Sequence, residues 1–252
     1  MTDPRLAAAL SDAAGTGGIA LWWRDDDATR ANPALDRLLT LAARYDLPVV
    51  LAVIPARADA TLQAALADAD RVAVAVHGLA HENRAQPDDR KQELTAADTG
   101  EALKLVAALE TARRSLETRF PGRTLPVLVP PWNRIDAIVV RELSRAGFAA
   151  LSTFAGRSEA AGTGLFQLNP EVDLIDWRRR EGRPYPDVAA DLAGAIAARA
   201  SGRRRGPVGL LTHHLQHDAT AWHTLSRLLA DLAAAKAVSW PAPDALFGRL
   251  AA

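Results

Sequence analysis

Seven short apolar runs, separated by stretches of helical pattern, constrain this chain more than any other feature. They are Ile19–Arg24, Val49–Ile54, Val72–His77, Leu125–Val129, Ala149–Thr153, Val172–Trp177 and Val208–Thr212. Most are apolar at successive positions rather than alternate ones, the pattern of parallel strands covered on both faces. Asn32-Pro33 joins an N-cap to a proline at the first helical position and predicts a helix through Tyr45. From Thr95 to Arg119, Leu103, Val106, Leu109 and Leu116 recur at helical spacing. Asp136 to Ala146 reads as a helix stopped by Gly147, and Asp187–Ala200 and Asp218–Ala235 as two more. Alternation of this kind implies βαβ units. Seven strands in 252 residues predict an α/β chain folded as one incomplete or distorted barrel, a single domain over residues 1–252 with residues 1–18 as an N-terminal extension.

Composition narrows the chemistry. There is no cysteine, so disulfides and thiolate metal sites are excluded, and any metal must sit on histidine and carboxylate ligands. Lys+Arg and Asp+Glu are both 30, which gives no basic excess for nucleic acid or an anionic membrane. The first residues carry an early acid and a proline and do not read as a signal peptide. No run approaches the ~20 apolar residues of a membrane span. A cytoplasmic protein is expected. Ala155–Gly164, Arg178–Pro186 and the run Arg203–Arg205 read as loops.

Polar residues collect where the strands end, which is where sites form in parallel α/β barrels. Asp25, Asp26 and Asp27 follow the first strand, and His77 ends the third with His81 four residues on. Pro130, Pro131, Trp132 and Asn133 follow the fourth, Asp173, Asp176 and Trp177 lie on the sixth, and His213 and His214 end the seventh. Three adjacent carboxylates repel one another, and a cation is one reason to keep them together. Two imidazoles four apart can face one metal, and two histidines with one carboxylate leave positions open for water, as in catalytic sites. Strand alternation turns one of His213 and His214 inward and the other outward, and the inward one could act as a general acid.

In this order the residues resemble the polysaccharide deacetylase superfamily, the NodB-homology carbohydrate esterases, whose members share a distorted seven-stranded (β/α) barrel. Asp26-Asp27-Ala28 looks like the paired-Asp motif, His77 to His81 like the His-x-x-x-His motif, and Pro130-Pro131-Trp132 like the proline–aromatic motif. Asp173-Leu-Ile-Asp176-Trp177 matches the Asp-x-x-Asp-Trp motif, and Leu211-Thr212-His213 looks like the final Leu-x-His. The resemblance implies Asp26 as general base, with Asp27, His77 and His81 holding a divalent metal, usually zinc. It gives Trp132 a role at the oxyanion, with Pro131, Asn133, Asp176 and Trp177 about the substrate pocket, and makes His213 the general acid. Two registers remain open, because Asp25-Asp26 could replace Asp26-Asp27 as base and ligand. The third motif of the family begins with Arg where this chain has Val129, so Arg134 or Arg24 would have to supply that charge.

The activity implied is removal of an N-acetyl or similar acyl group from an amino sugar or related amide. The expected partner is a small-molecule or oligosaccharide substrate, with no nucleic acid and no membrane. A non-sugar amide at the same site, or a catalytically silent barrel that binds carbohydrate or a protein, are the competing readings.

Overall fold

The computed structural model describes residues 1–247. Its helices are α1 (Pro4–Gly15), α2 (Pro33–Arg44), α3 (Ala60–Leu66), α4 (Thr99–Arg119), α5 (Ala137–Val140), α6 (Tyr185–Ala200), α7 (Ala219–Ala233) and α8 (Pro243–Phe247). The main strands are β1 (Ile19–Ala28), β2 (Val49–Val53), β3 (Val72–His77) and β4 (Thr124–Val129), then the two-residue strands β5 (Ala150–Leu151), β6 (Phe166–Gln167), β7 (Val172–Asp173), β8 (Ile175–Asp176) and β9 (Glu181–Gly182). β10 (Val208–Thr212) and β11 (Val238–Ser239) complete the set.

The chain forms two compact units, each assembled from segments distant in sequence. The first holds Met1–Asp25, Asn32–Val49 and Pro170–Ala242. Within it β10 lies parallel between β1 and β7, with Trp22 opposite Gly209 and Asp25 opposite Thr212. Gly209 is needed there, because a Cβ at that position would come within 2.4 Å of the Trp22 indole nitrogen. Helices α1, α6 and α7 belong to this unit, and Leu6, Leu10, Leu192, Ile196, Leu225 and Leu229 are buried among its core side chains.

The second unit holds Asp26–Ala31, Val50–Asn169 and the chain from Pro243 onward. Its strands follow one another in the order β2, β3, β4, β5, β6, and the β3–β4, β4–β5 and β5–β6 pairs are parallel. Every residue of β2 and β3 is buried, which explains their unbroken apolar sequence. Strand β1 passes from one unit to the other between Asp25 and Asp26, in the middle of the aspartate run.

Helix starts follow the side-chain caps written in the sequence. Asn32 accepts from the amides of Ala34 and Leu35, Asp98 from Glu101, and Asp218 from Ala221. Three segments differ from the sequence-based expectation. Val172–Trp177 is not one strand but β7 and β8, broken at Leu174, whereas within residues 1–18 Asp3-Pro4 caps α1 with the same logic as Asn32-Pro33. Asp136–Ala146 is no continuous helix but α5 followed by a 3-10 turn over Leu143–Ala146, which stops at Gly147 in the left-handed region. The strand expected over Ala149–Thr153 shrinks to two residues and gains β6 as a partner. Leu103, counted with the apolar stripe of α4, is 38% exposed.

Candidate metal centre

In the second unit Asp27, His77 and His81 converge. Their ligand atoms all lie within 4.8 Å of one another. Asp27 Oδ1 is 3.2 Å from His77 Nε2 and 3.3 Å from His81 Nε2. Bonds of about 2.0–2.2 Å from a tetrahedral ion would set neighbouring ligands roughly 3.3–3.6 Å apart, so the three donors fit a divalent ion with one position left for water or substrate. The tautomer also fits. His77 Nδ1 is 2.9 Å from the Val129 carbonyl, which can only accept, so Nδ1 carries the proton and Nε2 turns its lone pair to Asp27. Burial alone would disfavour a charged His77, but the hydrogen bond that a protonated Nε2 would donate to Asp27, with the charges of Asp26 and Asp27, outweighs it and raises its pKa. Burial and the neighbouring His77 lower that of His81.

The backbone around this cluster is held in costly conformations. Among the described residues six non-glycines have positive φ, and four of them are Asp27, His81, Trp132 and Asn133. A bulky residue such as Trp132 rarely adopts that region, and strain of this kind collects at functional sites. The Trp132 ring centroid lies 4.3 Å from that of His81, so the proline–aromatic turn packs directly on a candidate ligand.

Glu93 explains how the loop from His77 to His81 keeps its shape. Its side chain is fully buried. Oε2 accepts from the Leu79 amide at 2.9 Å, and Oε1 from the amides of Ala80 at 2.8 Å and Glu82 at 3.2 Å. Three amide donors compensate a carboxylate that would be expensive to bury alone. Gly78 sits beneath it with φ +60, where a Cβ would meet Glu93 Oε2 at 2.1 Å and Pro131 at 2.6 Å. Nothing in the sequence marks Glu93 beyond one acid in a charged stretch, so only the fold reveals it.

The aspartate run divides its duties. Asp25, fully buried in the first unit, accepts from Thr212 Oγ1 at 2.6 Å and from the His214 amide at 3.0 Å, and it pairs with His214 Nδ1. Trp23 Nε1 donates to the same Thr212 hydroxyl at 2.8 Å. Burial by itself would raise the pKa of Asp25, but the charge and hydrogen bonds of His214, with that of Thr212, hold it below the usual carboxylate range. Asp26 is buried in the second unit, and Asp27 is the aspartate beside the two histidines.

The remaining sequence-predicted residues divide between the units. In the first, the exposed Trp177 donates from Nε1 to Asp173 Oδ2 at 2.8 Å, and its ring stands edge-on to His213 at 4.6 Å. Asp176 caps its own turn by accepting from the amides of Arg178 and Arg179. Both His213 and His214 are buried, unlike the alternation expected from sequence, because β10 ends at Thr212 and His214 opens a 3-10 turn. In the second unit Pro131 is buried, and Trp132, Asn133 and Arg134 are half-buried. Arg134 donates to the Lys91 carbonyl at 2.9 Å, Arg24 is fully buried, and Val129 contributes only its backbone carbonyl to His77.

No family model and no curated protein sequence matches the chain. Solved structures do. A putative polysaccharide deacetylase from Mycobacterium smegmatis superposes with a TM-score of 0.66 at 14% identity, covering 93% of this chain and 91% of that one. A family 4 acetyl xylan esterase from Clostridium thermocellum, in complex with a cobalt ion, gives 0.57 at 12% identity with 91% of each chain covered. A CE4 family pseudoenzyme from Bacillus anthracis gives 0.52 at 16% identity, covering 86% of this chain and 61% of its own. The chain therefore has the α/β fold of the polysaccharide deacetylases. No helix among the described residues is long and apolar enough to cross a membrane.

Proposed function

We propose that this protein is a metal-dependent hydrolase that removes an acyl group from an amine, acting on an N-acetylated amino sugar or a related small amide. The observation that carries the reading is the convergence of Asp27, His77 and His81, with the His77 tautomer set by Val129. The deacetylase fold supports it, and the cobalt ion in one structural neighbour favours a divalent metal. Zinc is the assignment, since two imidazoles and one carboxylate with an open position make up a common catalytic zinc set.

A divalent ion on these residues would supply Lewis acidity, which acidifies water and polarises a carbonyl. The protein's own groups then have defined tasks. Asp27, His77 and His81 hold the ion. Asp26, next along the chain from Asp27 and shielded from solvent, takes the proton of the attacking water. The amide of Trp132 donates to the oxyanion as the carbonyl becomes tetrahedral. The Trp132 ring packs on His81 and fixes the turn that carries this amide.

A silent, binding-only protein is the second reading. Val129 at the position of the family's arginine favours it, as does a pseudoenzyme among the structural neighbours. Elemental analysis of purified protein, followed by amine release from N-acetylated amino sugars and small acetamides with and without added zinc, separates the two. Stoichiometric metal and metal-dependent turnover are expected. Protein that takes up no divalent ion and releases no amine would overturn the hydrolase reading.

A further inference from the structure

Beside the turn that carries Trp132, the second unit has a cavity of about 750 Å³ lined by Arg84, Arg90, Arg134 and Arg157. Three carboxylates also line it, but two are committed to the chain itself. Asp136 accepts from Gln92 Nε2, Thr95 Oγ1 and the Ala96 amide, at 2.6, 2.7 and 2.9 Å. Glu101 accepts from the Ala97 amide at 2.9 Å. The third, Asp89, lies exposed on a turn. On the cationic side, Arg157 pairs with Glu159 at 3.2 Å, and Arg134 donates to the Lys91 carbonyl. Among the described residues, neither Arg84 nor Arg90 has a carboxylate partner. Burial and the like charges of Arg157 and Arg90 all push the Arg134 guanidinium down from its usual pKa, with no acid offsetting them. Four guanidiniums thus face three carboxylates, two of them turned to donors of the chain itself, and guanidiniums gathered in a concavity are the groups that bind carboxylate or phosphate.

Its position ties the cavity to the candidate metal centre. Arg134 follows Trp132 by two residues, and Trp132 packs on His81 at 4.3 Å. The Lys91 ammonium lies 6.0 Å from the centre of the Trp132 ring, adding positive charge at the same turn. We infer that this arginine-lined cavity receives an anionic substituent of the substrate, a phosphate or a carboxylate, while the acylated nitrogen is presented at Asp27, His77 and His81. The inference rests on the hydrolase reading for its second half only; the anion site itself does not need the metal.

Calorimetric binding to the full chain tests it, using neutral N-acetylglucosamine, N-acetylglucosamine 1-phosphate and an N-acetylated aminouronic acid. At low salt either anionic probe should bind about 10–100-fold more tightly than the neutral one, the range of one or two charge-assisted hydrogen bonds, and the stronger of the two identifies phosphate or carboxylate as the group. Arg90→Gln, on an exposed side chain that carries no fold, and Arg134→Gln should each remove most of that preference while the melting temperature holds. Asp27→Ala should abolish metal uptake and leave the preference intact. Equal binding of neutral and anionic probes, or full preference in both arginine variants, would overturn the anion site. An intact preference with no metal uptake and no turnover would instead strike the hydrolase reading and leave the cavity as a plain anion-binding site.

Discussion

Replacing Glu93 tests how the ligand loop is built. Glu93→Gln keeps the shape and leaves one acceptor oxygen for the three amides of Leu79, Ala80 and Glu82. At least one charge-assisted hydrogen bond is lost, worth about 1.5–3 kcal/mol, and an amide–amide donor clash replaces it. Leu79 and Ala80 are half-buried, so water recovers part of that energy. A stability loss of roughly 1–2 kcal/mol is therefore expected from Glu93→Gln. Glu93→Ala frees all three amides and should cost about 3–5 kcal/mol. The more telling quantity is metal affinity, because the same amides hold the segment between His77 and His81 against the left-handed backbone at Gly78 and His81. Partners behind a ligand typically change affinity by about 10–100-fold when removed. Cobalt titration, read by visible absorption and by competition with a chelator, gives that ratio, and the band shape reports ligand geometry independently of folding. Glu117→Gln, on the exposed face of α4, serves as the surface control. A Glu93→Gln protein that loses stability but binds cobalt within twofold of the parent, with the same spectrum, would refute the positioning role.

Three further outcomes follow. Asp27→Ala, His77→Ala and His81→Ala should each abolish metal uptake, whereas Asp26→Asn should keep the ion and lose turnover; loss of the ion with Asp26 instead would shift the register by one. Asp25→Asn should leave metal uptake intact but cost about 3–5 kcal/mol of stability in a denaturant titration, because it strips a buried partner from His214 and Thr212; a silent change would mean that pair carries no weight. Burial holds the His217 imidazole down to about 4, below its ordinary value of 6.5, so the unfolded chain binds more protons between those values. Stability should therefore fall as pH drops through that window, by about 2 kcal/mol from pH 7 to pH 5, and His217→Leu should flatten this limb of the denaturation profile.

Much of this arrangement is written locally, and the parts that are not share a cause. Strand β3 ends at His77 as its apolar run does, because residues buried on both faces leave no ambiguity about where water begins. Helix α2 starts where Asn32-Pro33 says it must. Asp3-Pro4 carries the same signal for α1, but the stripe behind it is Leu6, Ala9, Leu10 and Ala13, and alanine-rich stripes look weak until α6 covers them. The division of Asp25, Asp26 and Asp27 was legible only as a choice between two registers. The structure separates Asp25 from Asp27 through partners 187 and 50 residues away, Thr212 and His77.

Glu93 marks the limit of reading residue by residue. Its three hydrogen bonds all go to backbone amides, and amides have no identity in a sequence. A motif such as His77 to His81 announces the ligands, while the group that gives their loop its shape can be any acid the chain returns to the right place. Gly78 is the one local trace of that contact, since the space a Cβ would need is filled by Glu93 and Pro131 together. A glycine directly after a ligand histidine is therefore evidence that something packs on the loop from behind. Its demand is also specific: Gly78→Ala must displace either the carboxylate or the proline turn that carries Trp132. Metal affinity and the environment of Trp132 should then change together, because one contact supports both.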